Sequence, residues 1–155
     1  MHHQRMVKNC LIFERIRLIQ AGKNPYFVVE LETGYVVLCD YQLFKGYTLF
    51  LAKQHKRELR ELNVKRRMEF LREMSLVAEA VFRAFKPAKL NYELLGNSEP
   101  HLHWHIIPRY RDDLRTQLPI WSIDSTIRNS DTNKPTKKQM ANLKIKLLKS
   151  IRKLV

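Results

Sequence analysis

The sequence is poor in cysteine and has no long apolar segment, and both absences limit the class of protein. Only Cys10 and Cys39 occur in 155 residues. Two cysteines are too few for the disulfide framework of a small secreted domain, and they agree with a reducing compartment. No apolar run is long enough to span a bilayer, and the N-terminal stretch lacks the apolar core of a secretory signal. We therefore expect a cytoplasmic protein without a transmembrane segment.

Acidic residues are also scarce, especially near the C-terminus. The chain has 29 Lys and Arg against 15 Asp and Glu, a formal net charge of +14. Residues 136–155 contain seven of these cations and no acid, so half of the excess charge lies in this segment. A strongly basic chain attracts polyanions. The charge indicates a nucleotide, a nucleic acid or an anionic surface as partner, without choosing among them.

The apolar pattern of the first 53 residues predicts a helix followed by three strands. A helix is expected over residues 5–20 because Ile12, Phe13, Ile16 and Ile19 form one stripe. Two β-rich runs flank Glu32-Thr33-Gly34, which indicates a hairpin, and a third strand is expected over residues 47–53. This order of elements is typical of an antiparallel sheet.

The rest of the chain predicts a long helix, two more strands and a final helix. Asn63 is a suitable cap for a helix that ends near Phe85. Its expected buried face comprises Met68, Leu71, Met74, Val77, Val81 and Phe85. Strands are expected over residues 89–97 and 101–109, the latter ending at Pro108. Residues 111–135 are expected to form a loop.

A last helix is expected to begin after Thr136, because Thr136 and Gln139 have the spacing of a capping box. Its apolar stripe comprises Met140, Leu143, Leu147 and Ile151. Together the elements predict an α+β domain built on an antiparallel sheet. The lysines on the other faces of this helix are either a solvated surface or a contact for nucleic acid or an anionic membrane.

Three histidines alternate with apolar residues in the predicted fifth strand. Side chains of a strand point to opposite faces in turn, so His101, His103 and His105 share one face. Leu102 and Trp104 share the other face, which we expect to pack against a helix. The imidazoles are then expected to face outward, about 7 Å from one neighbour to the next.

Three interpretations of this pattern differ in the chemistry they require. The histidines are surface residues without a task, or two of them share a zinc ion in a metal-dependent enzyme. In the third, one imidazole attacks a phosphorus atom and forms a covalent intermediate, while a second protonates the leaving group. The third is favoured, because three imidazoles in register are unusual and the basic surroundings would neutralise phosphate charge.

The segment from His101 to Ile107 resembles the signature of the histidine triad (HIT) family, in which three histidines alternate with apolar residues. Asp40, the run Phe44-Lys-Gly-Tyr47 and the stretch from Asn91 to Asn97 extend the resemblance over about residues 10–110. It implies an α+β HIT-like fold: a five-stranded antiparallel sheet, a long helix, and N- and C-terminal helices. Members hydrolyse or transfer nucleoside phosphates, including dinucleoside polyphosphates and nucleoside phosphoramidates.

The resemblance also implies a division of the chain and a homodimer. Residues 1–110 would form the HIT-like catalytic domain, and residues 111–155 a loop and basic helix packed on the same domain. Dimers are common in part of the family. Trp121, in the expected loop, is a candidate for covering the site or for packing in such a dimer.

The resemblance assigns a role to each matching residue. His103 would attack the α-phosphorus, His105 would contact the phosphate and protonate the leaving group, and His101 would hold the geometry of the nucleophile. Asp40 would bind the ribose hydroxyls. Asn97 and Ser98 would donate hydrogen bonds to the phosphate. The lining of the base pocket would comprise Ile12, Phe13, Ile16 and Leu38.

The chain departs from the family pattern at three places. Tyr47 stands where many members have a histidine, and its phenol cannot act as a charged acid near neutral pH. Only Ser98, Glu99 and Pro100 separate Asn97 from the triad, which indicates an open site. Some members bind zinc through a Cys-x-x-Cys pair, a histidine like His55 and the first triad histidine. Here the second cysteine is Phe13, so we expect no bound metal and no cofactor.

A different class of function also remains open. The chain could be a nucleotide- or nucleic-acid-binding module that keeps the fold with little turnover, as Tyr47 and the net charge of +14 suggest. Binding that weakens with salt, in the absence of turnover, would distinguish it from an enzyme.

Overall fold

Five strands form one antiparallel sheet in the computed structural model, which describes residues 10–155. The order across the sheet is β1-β2-β3-β5-β4. The strands are β1 Phe27–Glu30, β2 Gly34–Leu38, β3 Thr48–Ala52, β4 Lys89–Glu93 and β5 His103–Arg109. The predicted α+β class with a five-stranded antiparallel sheet is confirmed.

Among the described residues, four α-helices accompany the sheet: α1 Leu11–Gln20, α2 Val64–Phe85, α3 Ser125–Arg128 and α4 Lys137–Arg152. The predicted caps are present, because the Asn63 side chain accepts from the amide of Arg66 and Thr136 forms a capping box with Gln139. The predicted start of the first helix, residues 5–9, lies outside the described residues. Within residues 10–155, no helix is long and apolar enough to cross a membrane.

Both faces of the sheet are covered, so the domain has two apolar clusters. On one face, α2 and α4 pack over the strands, and the cluster includes Phe50, Val77 and Leu147. On the other face, α1 and a turn at Ile120–Ser122 cover a cluster that includes Val37 and Leu51. The predicted stripe of α4 is confirmed, because all four of its apolar members are buried. The second cluster surrounds the histidines.

The predicted buried face of α2 is only partly correct. Val77 and Val81 are buried, but Met68 is 59% exposed, and Leu71, Met74 and Phe85 are only partly buried. The buried face is instead centred on Phe70, Glu73, Val77, Ala78, Ala80 and Val81. The helix is rotated because Glu73 turns inward, where its carboxylate accepts from the backbone amides of Glu32 and Thr33. Apolar periodicity does not reveal a buried carboxylate of this kind.

Three predicted boundaries also differ. Strand β4 ends at Glu93 rather than at residue 97, and β5 begins at His103, so His101 precedes the strand. Pro108 does not end β5 but lies within it, opposite Leu90 of β4. Pairing with β3 stops at Ile106, so Pro108 has a strand neighbour on one side only, where a missing amide donor is tolerated. The expected loop over residues 111–135 contains α3 and two single turns.

Candidate active site

Two of the three histidines are buried and the third is partly buried, which overturns the expectation that they face outward. His101 is 1% exposed and His103 is 6% exposed, while His105 is partly buried. His103 and His105 lie opposite Leu51 and Leu49 of β3, both of which belong to the cluster beneath α1. Because α1 and the turn after Pro119 cover this face, the imidazoles lie in a low-dielectric site.

The tautomer of His103 is set by a backbone carbonyl. Its Nδ1 lies 2.6 Å from the carbonyl oxygen of His101, which can only accept, so Nδ1 carries the proton. The neutral ring then has its lone pair on Nε2. Burial lowers the pKa of His103, although the hydrogen bond to the His101 carbonyl and Glu99 oppose this effect. His103 therefore has an unprotonated nitrogen at neutral pH.

His105 stands beside His103 and is hydrogen bonded to a tyrosine. The two imidazole centroids are 4.8 Å apart, and His105 Nδ1 lies 2.6 Å from the Tyr47 hydroxyl. Burial, and secondarily His103, lowers the pKa of His105 to about 4. Burial raises the pKa of Tyr47 well above 10, so the phenol keeps its proton. The protonated phenol donates to an unprotonated Nδ1 and accepts from a protonated one, so this bond holds the His105 ring in either state.

His101 precedes strand β5 and contacts His103 through its backbone carbonyl. Its Nε2 lies 2.7 Å from the carbonyl oxygen of Ala52, so this nitrogen donates and Nδ1 is unprotonated. That Nδ1 lies 4.0 Å from Cys10 Sγ. Burial lowers the pKa of His101 to about 4, although the bond to Ala52 opposes the change. The carbonyl of His101 thus orients His103 while its ring is fixed by β3.

In the described part of the chain, Cys10, His55 and His101 are the group that could hold a metal ion. One donor atom from each lies within 4.8 Å of the other two. Structural zinc sites have four ligands, and this set has one thiolate and two imidazoles. Phe13 stands where the second cysteine of the family pattern would be, and its ring packs edge-on against His55 at 6.3 Å. The residues fit only part of a zinc site, and the expectation of no tightly bound metal stays a prediction.

We expect the purified protein to contain well below one zinc per chain after dialysis against a chelator. A set of three protein ligands is one short of the structural zinc site, which weakens the binding. Elemental analysis of wild type and of Phe13→Cys checks this, because the variant restores the fourth donor and should retain zinc. One zinc per chain in the wild type would contradict the prediction.

The predicted ribose ligand Asp40 is paired with a cation. Its Oδ1 lies 2.6 Å from an Arg15 nitrogen, and both side chains remain about one quarter exposed, at 27% and 26%. The charge of Arg15 also adds, after burial, to lowering the pKa of His103, so this arginine lies on the histidine side of the sheet. Arg15 was not identified from the sequence, because a single arginine on an amphipathic helix is usually a solvated side chain. The structure brings Asp40, Arg15 and His103 to one site.

The predicted base-pocket residues are not all brought together. Ile12 and Ile16 are on the buried side of α1, which packs on the histidine face of the sheet. Phe13 of the same helix is 40% exposed. Leu38 belongs to the cluster on the opposite face of the sheet, so it does not line the histidine site. Asn97 and Ser98, the predicted phosphate donors, are exposed in the turn before His101.

The C-terminal segment supplies residues that a motif could not assign. The Trp121 ring lies edge-on to His105, with centroids 5.9 Å apart, and its Nε1 donates to Glu93 at 2.6 Å. The Arg128 guanidinium lies 4.7 Å from the Trp121 ring centroid. Buried Arg109 fixes the approach to this turn through Asp113 and two loop carbonyls. Trp121 therefore covers one side of His105, as one of its two predicted roles required.

Known proteins resemble this chain in sequence and in fold. The family model described as the HIT domain matches residues 23–112. "Protein hit" of Bacillus subtilis is 34% identical over 109 residues, which are 66% of this chain and 72% of that relative. A histidine triad protein from Marinobacter aquaeolei is 27% identical, with a TM-score of 0.72 over 83% of this chain and 90% of that structure. A hypothetical histidine triad nucleotide-binding protein from Sulfolobus tokodaii is 25% identical, with a TM-score of 0.69 over 91% and 93%.

Proposed function

The chain belongs to the histidine triad family, and on this premise we propose that it is a nucleotide hydrolase or nucleotidyl transferase. The proposed substrates are dinucleoside polyphosphates or nucleoside phosphoramidates, and the proposed intermediate is a nucleotide covalently bound to His103. The observation that carries the proposal is the 2.6 Å bond from His103 Nδ1 to the His101 carbonyl, which leaves Nε2 as a nucleophile.

In the first step, the lone pair of His103 Nε2 attacks the α-phosphorus. A phosphorus–nitrogen bond forms, and the bond from phosphorus to the leaving group breaks. The leaving group receives a proton from Nε2 of the His105 imidazolium, and the neutral ring that remains donates from Nδ1 to the Tyr47 hydroxyl. The negative charge of a bound phosphate raises the pKa of His105 in the complex, which favours a proton at this position.

In the second step, water or another acceptor attacks the same phosphorus. The phosphorus–nitrogen bond breaks, His103 Nε2 recovers its lone pair, and the proton of the attacking water returns to His105. Asp40 is proposed to accept hydrogen bonds from the ribose hydroxyls, with Arg15 holding its carboxylate. Asn97 and Ser98 are proposed to donate to the phosphate, and Ile12, Phe13 and Ile16 to contact the base.

The test of this function is release of AMP from diadenosine tetraphosphate, diadenosine triphosphate and AMP phosphoramidate. Each proposed step uses only protein side chains, so turnover should persist in excess chelator. Release from one compound would identify the leaving group that the site accepts. Absence of release from all three, with wild-type protein that binds AMP, would contradict the proposal for these substrates.

The second candidate function is a nucleotide- or nucleic-acid-binding module with little turnover. The ion pair between Arg15 and Asp40 favours it, because a ribose must share a carboxylate that already has a partner. Binding of nucleic acid that weakens with salt, without AMP release, would support this function over the enzyme. Both functions agree with a cytoplasmic protein.

We also propose a homodimer. Strand β4 is an edge of the sheet, and Tyr92 and Leu95 near it are about half exposed, at 51% and 52%. An edge strand with apolar neighbours is suited to pairing with a second copy.

Removal of the Tyr47 hydroxyl should lower kcat about tenfold while leaving KM nearly unchanged. In Tyr47→Phe, no phenol occupies His105 Nδ1, so the neutral ring distributes its proton over both nitrogens. We expect nitrogen NMR of His105 to show this mixture, a change that a loss of packing would not cause.

Tyr110→Phe is the matched control for this variant. The Tyr110 hydroxyl donates to the carbonyl of Lys45 at 2.7 Å, in the loop that carries Tyr47, without touching a histidine. Equal kcat values for wild type and both variants would contradict the proposed role of Tyr47.

A further inference from the structure

A cavity of about 650 Å³ lies between the loop that follows Asp40 and the first turns of α4. The loop contributes Gln42, Leu43 and Lys45, and the remaining walls come from residues 132–135 and from α4. The histidines do not line it, and none of the proposed catalytic steps uses it. Its chemistry therefore needs a separate explanation.

The cavity is lined by cations, amides and apolar side chains such as Leu43 and Ile145, and by no carboxylate among residues 10–155. Lys45, Lys134 and Lys146 provide the charge, and Asn142 and Gln139 are among the amides. Lys134 pairs with Asp131 at 2.9 Å, whereas Lys45 and Lys146 make no ion pair within residues 10–155. Two uncompensated ammonium groups in one concavity attract phosphates, and neighbouring amides can hydrogen bond to base edges or sugars.

The cavity adjoins the proposed ribose site. Lys134 Nζ lies 5.4 Å from the ring centroid of Tyr41, the residue after Asp40. The Gln42 side chain donates to the carbonyls of Cys39 and Tyr47, at 2.9 and 3.0 Å. One short loop thus carries Asp40, the proposed ribose ligand, and Tyr47, the partner of His105. The same loop forms one wall of the cavity. The ribose hydroxyls at Asp40 are the atoms through which a nucleotide continues into a strand.

We propose that this cavity binds the phosphodiester backbone of a single-stranded oligonucleotide whose 5′-terminal nucleotide occupies the histidine site. The inference rests on the proposed function, since it places the terminal nucleotide by Asp40. A strand fits the observations better than a membrane surface, because the charges line a concavity with amides among them. A flat anionic membrane surface would contact exposed lysines outside the cavity equally well.

The test measures binding of oligoadenylate and deoxyoligoadenylate, each with a 5′-phosphate and a 3′ fluorophore, by anisotropy over a range of salt. Lys45→Gln with Lys146→Gln removes the two unpaired charges of the cavity. Lys138→Gln with Lys149→Gln removes the same charge from exposed positions of α4 that do not line it. Comparing the two pairs separates the cavity from net charge.

The cavity variant should bind about tenfold more weakly, and its slope of log affinity against log salt should fall by about 1.4. The control variant should stay within about twofold of wild type, and AMP should compete with the labelled strand. A difference between the two strands would show whether the ribose 2′-hydroxyl contributes.

Equal losses in both variants, or no loss in either, would overturn the proposal. Loss of sedimentation with phosphatidylserine vesicles, without loss of oligonucleotide binding, would overturn it in favour of a membrane. The AMP-release assay on small substrates is independent of this measurement. Its failure would contradict the proposed catalysis, while a selective effect of the cavity variant would still support the strand site.

Discussion

Replacement of His103 by alanine should reduce AMP release by about a thousandfold or more. The variant lacks the nitrogen that forms the bond to phosphorus, and no other imidazole occupies the same position. His105 lies beside it, but Tyr47 occupies its Nδ1 and its Nε2 carries the proton required by the leaving group. His101 cannot substitute, because its Nε2 donates to Ala52 and its Nδ1 faces Cys10.

The measurement compares steady-state release with an acid quench of the reacting enzyme. Mass spectrometry of the quenched wild type should find a nucleotide attached to the peptide that contains residue 103. His103→Ala should lack this adduct while still binding AMP, which shows that the fold survives. Turnover of the variant within about tenfold of wild type would contradict a covalent intermediate at His103.

The second large effect is a loss of stability in mild acid. The pKa values of His101 and His105 are about 4 in the folded protein against an ordinary value of 6.5. Between these values the unfolded chain binds more protons than the native state, so the free energy of unfolding rises with pH. It therefore falls as the pH is lowered from 6.5 towards 4. The loss is about 3 kcal/mol for buried His101 and less for partly buried His105.

Denaturant unfolding at several pH values between these limits checks the effect. His101→Gln keeps an amide donor for the Ala52 carbonyl but cannot titrate. Its unfolding should therefore take up as much as one proton fewer, and its free energy of unfolding should depend less steeply on pH. Tyr110→Phe is the control, since burial raises the pKa of Tyr110 to about 12, outside this range. If the free energy of unfolding depends on pH equally in His101→Gln and in wild type, then the pKa of His101 is not lowered in the folded protein.

Local chemistry explains which elements were predictable. Asn63 and Thr136 cap helices through their own side chains, and the stripe of α4 packs as its spacing required. The hairpin around Thr33 follows from β-rich runs on both sides of a glycine. In each case the determining contacts lie within a few residues of one another. The alternation of the three histidines is equally local, and it is the pattern that indicated the family.

Contacts between distant segments explain what was missed. Glu73 is buried because a turn 40 residues away presents two amides to it, and this contact rotates α2 away from the face that periodicity indicated. Pro108 remains in β5 because β3 begins only at Thr48, opposite Ile106, and this leaves Pro108 with one strand neighbour. Leu38 resembles a pocket residue in sequence, yet the pleat of β2 directs it to the other face.

The family, the class of fold and the three imidazoles were predictable from the sequence, because they depend on residue type and on spacing along one strand. The burial of the imidazoles, their tautomers and their partners depend on contacts between distant segments. The bond from Tyr47 to His105, the pairing of Arg15 with Asp40 and the position of Trp121 each join residues more than 15 apart in sequence. Such pairs form only when the sheet and its covering helices bring separate segments together, and no local pattern encodes them.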